Sequence, residues 1–244
     1  MTSLNLNARI VTPLFMGSHR PEEVELRPPS IKGAVRFWWR ALNSQQPWSQ
    51  LREQEAHIFG AVAGDTSGRS KVNFQCEGDA GKGAGLGSVF LDDNGQPITV
   101  TAHSSSQHSI NLLDYLAYGR ESASYFKPGG TFQLRVSFHH SLNPDDKESV
   151  KEAMVALSEY GNVGGKSRNG YGKIIFSELA NEARKKAIEA KLFQGKQPKF
   201  TGGSSSVKLF EGRHSHNSWQ SALSEVGAAY HSARINIEQK GTHD

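Results

Sequence analysis

The same pattern occurs at two places in the chain: a segment in which every second residue is apolar precedes a longer amphipathic segment. Residues 4–11 and 132–138 alternate between apolar and polar side chains, the two-residue period of a strand with one buried face. Pro28-Pro29-Ser30 and Asn143-Pro144-Asp145 are typical of helix starts, and we expect Ser30 to be the N-cap of the first helix. The chain must therefore build its core from two strand-and-helix pairs.

Further elements complete the order strand, helix, strand, strand, helix, strand. Residues 71–75 and 173–176 are predicted to be the second and fourth strands of this series. The order is that of a ferredoxin-like, RRM-type α+β domain. The rest is predicted to be insertions: a short helix at 54–59 ending at Gly60, a flexible loop at 78–87, a hairpin at 88–102 turning at Asp93-Asn94-Gly95, and a short helix at 110–118.

Residues 179–244 differ in character and are predicted to form a mainly helical extension. A basic helix at 181–193 leads to a Thr-Gly-Gly-Ser-Ser-Ser linker at 201–206. A last amphipathic helix follows, with four apolar residues on one side, Trp219, Leu223, Val226 and Tyr230. The expected division is a ferredoxin-like domain at 1–178 and an extension at 179–244.

The distribution of charge is more informative than the net charge of +4. Residues 1–178 hold 18 basic and 18 acidic side chains, and the remaining residues hold 10 and 6, so the extension supplies the whole excess. Within the neutral part, residues 27–40 and 160–173 contain no acid. Binding of a nucleic acid depends on such local positive stripes, because phosphates respond to the local field.

The first helix combines an apolar stripe with a basic face. The stripe consists of four residues at helical spacing, Ile31, Val35, Trp38 and Leu42. Lys32, Arg36 and Arg40 lie one turn apart on another face, with Trp39 among them. Cations spaced in this way can follow a phosphate backbone, and an indole can stack on an unpaired base. The same residues also fit a core helix with inward tryptophans and solvated cations, and spacing alone leaves that choice open.

A glycine-rich segment at 161–173, GNVGGKSRNGYGK, is the second candidate site. Such a run can present several backbone N–H groups to an anion, with charge added by Lys166 and Arg168. The segment is not a P-loop, because the pattern GxxxxGK[ST] requires glycine where Tyr160 stands, and here the helix precedes the loop. A nucleotide triphosphatase is therefore not expected, although a plain flexible turn is the alternative.

The histidines and the single cysteine predict no metal site, and we expect no cofactor. His214, His216, His139, His140 and Cys76 do not have the spacing that closes a zinc site. His19, in the loop before the first helix, could act as a general acid in RNA cleavage. No acid–base cluster is evident, which favours a non-catalytic binding role. A metal-independent endoribonuclease that processes crRNA is the alternative.

Four segments together resemble the RAMP superfamily of CRISPR proteins (repeat-associated mysterious proteins). They are TPLFMGS at 12–18, PSIKGAVRFWWRAL at 29–42, IFG at 58–60 and GGKSRNGYGKI at 164–174, in the order found in that family. The resemblance covers residues 1–178. The doubled tryptophan looks most like the family of first subunits of type III-B (Cmr) effector complexes.

The resemblance implies a non-catalytic subunit that binds crRNA, near its 3′ end, and target RNA in antiviral defence, beside other type III effector subunits. Carried over residue by residue, it implies eight RNA-binding residues: Arg20, Lys32, Arg36, Trp39, Arg40, Lys166, Ser167 and Arg168. The extension at 179–244 departs from this family, whose members usually carry a second ferredoxin-like domain.

A cytoplasmic protein is expected from three features of the sequence. One cysteine excludes an internal disulfide framework and fits a reducing compartment. The first residues lack a basic start followed by an apolar run, and no apolar stretch reaches the length of a membrane span. We therefore expect no membrane partner. The extension could instead dock a neighbouring subunit through its apolar stripe.

Overall fold

A computed structural model describes residues 2–17, 23–61, 68–86, 91, 94–101, 109–120, 122–179, 181–193 and 215–240, without the side chains of 101 and 234–240. The strands are β1 (Thr2–Ile10), β2 (Val72–Glu77), β3 (Lys82–Ala84), β4 (Thr99–Thr101), β5 (Ser109–Asn111), β6 (Ser124–Phe126), β7 (Thr131–Phe138) and β8 (Ile174–Phe176). The helices are α1 (Pro28–Leu42), α2 (Trp48–Phe59), α3 (Leu112–Ala117), α4 (Pro144–Tyr160), α5 (Glu182–Phe193) and α6 (Trp219–Lys240).

Four strands form one antiparallel sheet in the order β2-β7-β1-β8. With α1 following β1 and α4 following β7, this is the ferredoxin-like arrangement, so the predicted α+β fold is confirmed. The register places Leu6 opposite Leu134, and Val136 opposite Phe74. These side chains are buried, and α1 packs against α4 within the same hydrophobic cluster. The alternation read from the sequence is thus the alternation between the core and the open face of this sheet.

A second, smaller core lies beside the sheet domain. It contains Phe15, Tyr171, three leucines of α3 and Leu223 of α6. Phe15 and Tyr171 are in edge-to-face contact at 5.3 Å between ring centroids, and the Tyr171 hydroxyl donates to the Leu113 carbonyl at 2.7 Å. This cluster fixes the glycine-rich segment at 161–172 against α3, because Tyr171 belongs to that segment.

The first helix begins earlier than expected, and Ser30 is not its N-cap. Arg27 has extended backbone angles at the N-cap position and makes no side-chain capping bond, while Pro28 and Pro29 occupy the first turn. Proline suits this place because its missing N–H would have no helical partner there. The second long helix begins as predicted, since the side chain of Asn143 accepts from the Asp146 N–H at 2.7 Å.

The insertions contain more regular structure than predicted. Part of the expected flexible loop at 78–87 is strand β3, which pairs with β6, a strand that the sequence did not indicate. Of the predicted hairpin at 88–102, residues 88–90, 92, 93 and 102 lie outside the described residues. Within the rest, a bridge joins Leu91 to Pro97, and β4 pairs with the later strand β5. Helix α2 is twice as long as expected and ends at Gly60, where the backbone has φ of 84°.

Of the two helices of the extension, α5 packs on α1 and α4 of the sheet domain, and α6 packs on α3 in the second core. Ile188 of α5 is buried in the main core, and Arg184 pairs with Glu148 of α4 at 2.8 Å. On α6 the members of the predicted apolar stripe differ in burial: Leu223 is buried, but Val226 and Tyr230 are 61% and 47% exposed. The buried side continues from Leu223 to Gly227 and His231 at four-residue spacing. The division after residue 178 remains a prediction, and the linker at 201–206 lies outside the described residues.

Candidate nucleic-acid interface

The open face of the four-stranded sheet is not an aromatic stacking platform. RRM domains bind RNA by stacking bases on aromatic side chains of this face. Here the outward-facing side chains of the two central strands are polar: Ser3, Asn5, Asn7 and Arg9 on β1, and Thr131, Gln133, Arg135 and Ser137 on β7. The RRM-type arrangement of strands and helices is therefore present without the RRM binding surface, and the cations of α1 and the glycine-rich segment remain as candidates.

The α1 basic face, defined as Lys32, Arg36 and Arg40, lies on the flank of the helix next to α2. Arg36 Nε and Arg40 Nη1 both donate to Oε1 of Glu55, a buried carboxylate on α2. The two arginine side chains are 40% and 33% exposed, and Glu55 is 8% exposed. One buried acid therefore holds two guanidinium groups at the surface.

This arrangement leaves donors available for a ligand. A guanidinium has five N–H groups, and each arginine uses one of them on Glu55. The three cations and the single carboxylate of Glu55 sum to a charge of about +2 on this face. The role of Glu55 was not evident from the sequence, although its place directly before Ala56-His57-Ile58-Phe59, three of which are apolar, was a possible signal of a buried acid.

Lys32 continues the face toward the start of β2. Its Nζ donates to the Ser70 hydroxyl at 2.6 Å, and that hydroxyl donates to the Val72 carbonyl at 2.7 Å. Burial lowers the pKa of Lys32, and the charge of Arg36 lowers it further.

The structure buries Trp39 more deeply than Trp38, the tryptophan of the predicted apolar stripe. Trp39 is 1% exposed, packs edge-to-face on Phe59 at 5.9 Å between ring centroids, and donates from Nε1 to the Ser149 hydroxyl at 2.9 Å. Trp38 is only partly buried. The expectation that Trp39 offers an exposed face to a base is therefore wrong, since its ring is enclosed between α1, α2 and α4.

Helix geometry explains why spacing could not settle this point. At about 100° per residue, Trp38 and Trp39 lie on opposite sides of the direction shared by Ile31, Val35 and Leu42, each within about 60° of it. Either ring could therefore have joined the stripe. The position of α2 decides the outcome, because α2 covers the flank of Trp39 and supplies Phe59.

Trp38 connects α1 to the start of the glycine-rich loop, defined here as residues 161–172. Its ring lies 6.2 Å from that of Tyr160, and a Cβ on Gly161 would overlap its indole nitrogen. Glycine at 161 is thus required by the close approach of this ring. The loop therefore begins on the Trp38 flank of α1, whereas the α1 basic face lies on the flank next to α2.

The loop has a defined conformation. Lys166 adopts a left-handed backbone with φ of 56°, and a short 3-10 turn follows at Ser167–Asn169. Gly172 has φ of 77°, and a Cβ there would overlap the carbonyl oxygen of Val163. A non-glycine residue with positive φ is uncommon and is often found where a backbone presents groups for function.

Several hydrogen bonds hold this conformation in place. The Gly165 N–H donates to the Phe15 carbonyl at 2.7 Å, which attaches the loop to the TPLFMGS segment. Asn162 Nδ2 donates to the Ser167 carbonyl at 2.8 Å, and Asn169 Nδ2 donates to the Leu116 carbonyl at 2.7 Å. Arg168 is exposed, and Lys166 and Ser167 are half-exposed. The alternative of a plain flexible turn does not describe a loop anchored at both ends.

The predicted residues thus fall into two groups. The α1 basic face makes its hydrogen bonds with α2 and Ser70. The loop makes hydrogen bonds with the segment from Thr12 to Phe15, with α3 and within itself. Arg20 and His19 lie outside the described residues. Among the described helices, none is both long and apolar enough to cross a membrane.

The fold and the candidate site define a ferredoxin-like protein with a basic first helix and an anchored glycine-rich loop. Residues 7–175 match the RAMP superfamily, and the chain belongs to this superfamily. This confirms the resemblance that the sequence segments indicated.

Two similar proteins come from Pyrococcus furiosus. CRISPR system Cmr subunit Cmr1-1 is 31% identical over 170 residues, which cover 66% of this chain and 43% of that protein. The chain therefore spans less than half the length of this relative. The crystal structure of Cmr1 in its apo form superposes with a TM-score of 0.59 at 18% identity, over 98% of this chain and 75% of that chain. At this identity the structural likeness concerns the fold.

Proposed function

We propose that this chain is a non-catalytic RNA-binding subunit of a type III CRISPR effector complex. In this proposal it contacts crRNA in its 3′ region, target RNA, or both, together with other effector subunits. The observation that carries the proposal is the α1 basic face, in which Glu55 holds Arg36 and Arg40 at the surface.

The α1 basic face suits a phosphate backbone. Lys32, Arg36 and Arg40 follow one another at four-residue spacing, about 6 Å along the helix axis. Their donors point to the same flank, as their shared partners on α2 and at Ser70 indicate. Contacts to phosphates do not depend on base identity, so we expect binding without strong sequence preference.

The glycine-rich loop supplies a second group of contacts in this proposal. Lys166 and Arg168 add two cations beside a left-handed turn at Lys166, and turns of this kind can present backbone N–H groups to anions. Ser167 adds a hydroxyl. Arg20 remains a prediction from the resemblance alone. Trp39 is not retained as an RNA contact, because its ring is buried.

Membership of an effector complex is supported by the relative that is named as a Cmr subunit. Because the chain spans 43% of that protein, this part of the proposal concerns the domain they share. The non-catalytic part of the proposal is implied by the family resemblance, and the alternative catalytic candidate, His19, lies outside the described residues.

The test is fluorescence anisotropy with a labelled 12-nucleotide oligouridylate over a salt series. One variant is Arg36→Gln/Arg40→Gln/Glu55→Gln, which removes two cations without leaving Glu55 buried and unpaired. The loss of two phosphate contacts should lower the slope of log K against log salt by about 1.4. A second variant, Lys166→Gln/Arg168→Gln, tests the loop in the same way.

The matched control is Lys191→Gln. It changes the net charge by one unit, as the triple variant does. The lysine that it removes pairs with Glu152 of α4 at 2.6 Å and belongs neither to the α1 basic face nor to the glycine-rich loop. The control should bind as the wild type does. If the folded triple variant and the wild type bind equally, or if neither binds alone or with partner subunits, the proposal is wrong.

A further inference from the structure

Beyond the end of the α1 basic face, a group of polar side chains meets at the start of β2. It comprises Ser70 and Lys71 before β2, His57 near the end of α2, and Asp146 in the first turn of α4. Lys32 reaches it through Ser70. Unlike Lys32, these four residues were not among the candidates predicted from the sequence.

The backbone of this group is fixed by its neighbours. The Lys71 N–H donates to the Ile58 carbonyl of α2 at 3.0 Å, and the Lys71 carbonyl accepts from the His139 N–H at 2.8 Å. A Cβ on Gly60 would come within 2.7 Å of the Ser70 nitrogen, so glycine permits the close approach of the two segments. The side chains of Ser70 and Lys71 therefore start from defined positions.

The side chains form a short series of contacts. Lys71 Nζ lies 3.0 Å from His57 Nδ1, and His57 Nε2 lies 3.6 Å from Asp146 Oδ2. The imidazole of His57 is 46% exposed and Asp146 is 17% exposed. Since an ammonium has three N–H donors and His57 accepts one, Lys71 retains donors for a ligand.

The local charge favours an anion at this place. The ammonium groups of Lys32 and Lys71 outnumber the single carboxylate of the group, that of Asp146. The first turn of α1, beside Lys32, contains no acidic residue. Helix N-termini carry a partial positive charge, so Lys32 has no favourable counter-charge from its own helix.

We infer that Lys71, His57 and Ser70 form a phosphate-binding site that extends the α1 basic face and holds a backbone phosphate of the bound RNA. Lys71 donates to the non-bridging oxygens of the phosphate, and His57 orients the Lys71 ammonium. The Ser70 hydroxyl, which donates to the Val72 carbonyl, holds the Lys32 ammonium beside the site. The inference rests on the proposed function, because the phosphate belongs to the same RNA strand that is proposed to bind Arg40, Arg36 and Lys32.

The experiment compares wild type, Lys71→Gln and Lys71→Arg in the oligouridylate titration. Lys71→Gln should lower the salt slope by about 0.7, the value for one phosphate contact to a single strand. Lys71→Arg keeps the charge and should retain the wild-type slope. Lys151→Gln is the matched control, because it removes one lysine that pairs with Glu148 at 3.1 Å on α4. Melting curves establish that each variant is folded.

A second arm separates RNA from free phosphate. Inorganic phosphate is titrated into the protein while the ring signals of His57 are followed by NMR, assigned with His57→Gln. If Lys71→Gln binds RNA as the wild type does while Arg36→Gln/Arg40→Gln/Glu55→Gln does not, the inference is wrong and the proposed function stands. A His57 shift with phosphate, but no effect of Lys71→Gln on RNA, also overturns it in favour of a free-phosphate site. If the wild type binds no RNA, both fail.

Discussion

The indole nitrogen of Trp39 donates a hydrogen bond to the hydroxyl of Ser149 across the interface between α1 and α4, at 2.9 Å. Ser149 in turn donates to the Asp146 carbonyl at 2.8 Å. The serine thus satisfies the one polar atom of a tryptophan that is otherwise surrounded by the core. This contact, together with the packing on Phe59, makes Trp39 a structural residue of the first helix.

Replacing Trp39 by alanine should destabilise the protein strongly. Removing a buried tryptophan costs about 3 to 5 kcal/mol through lost burial and the cavity left behind. Trp38→Ala should cost less, because Trp38 is partly exposed. Urea denaturation of both variants measures the difference. If Trp39→Ala kept the wild-type free energy of unfolding and lost only RNA binding, Trp39 would be a stacking residue and the packing argument would be wrong.

The fold could be predicted from the sequence because its main elements depend on local patterns. The alternation at 132–138 and the Asn143-Pro144 helix start gave β7 and α4 directly. The insertions could not be predicted in the same way. Strands β3 and β6 have three residues each, and their pairing depends on contacts between segments 40 residues apart.

The candidate site could be predicted only in part. The three cations of α1 were evident from their spacing, but Glu55 was not, because its role depends on how α2 packs beside α1. His57 and Lys71 are likewise brought together by the turn at Gly60, between segments 14 residues apart. For Trp38 and Trp39, the helical pattern was compatible with either ring in the core.

Glycine is required at position 172 by contact as well as by backbone angle. Gly172 and Gly119 both have φ of 77°, but a Cβ at Gly172 overlaps the Val163 carbonyl, whereas a Cβ at Gly119 meets nothing within 4 Å. Gly119→Ala should therefore cost about 1 to 2 kcal/mol, the left-handed penalty alone. Gly172→Ala should lower the melting temperature clearly more than Gly119→Ala does. Equal shifts would show that the loop relaxes around the added methyl group.

Neutralising Glu55 should separate stability from RNA binding. Glu55→Gln replaces the carboxylate that two arginines share with a neutral amide, so we expect a loss of about 1 to 3 kcal/mol in the free energy of unfolding. The same change raises the net charge of the α1 basic face by one, so the variant should bind the oligouridylate at least as tightly as the wild type at low salt. Weaker binding by the folded variant would mean that the orientation of the arginines matters more than their potential.

The lowered pKa of Lys173 should make the free energy of unfolding depend on pH. The Nζ of Lys173 donates to the Glu159 carbonyl at 2.8 Å, beside the core under the glycine-rich loop. Burial lowers its pKa from 10.5 to about 8, although the Glu159 carboxylate acts in the opposite direction. Between these two values the unfolded chain keeps a proton on this amine that the folded protein has released. Because the unfolded state then binds more protons, this group makes the folded state more stable as the pH rises from about 8 to 10.5.

Lys173→Met removes this titration while it keeps a side chain of similar length. The free energy of unfolding of the wild type minus that of the variant should therefore rise steadily from pH 7.5 to pH 10, as measured by urea denaturation at several pH values. Burial also raises the pKa of Cys76 to about 11, which destabilises the folded state at high pH, but this contribution is common to both proteins and cancels in the difference. A difference that stays flat over this range would mean that Lys173 keeps its proton in the folded protein, because its ammonium is well compensated by Glu159.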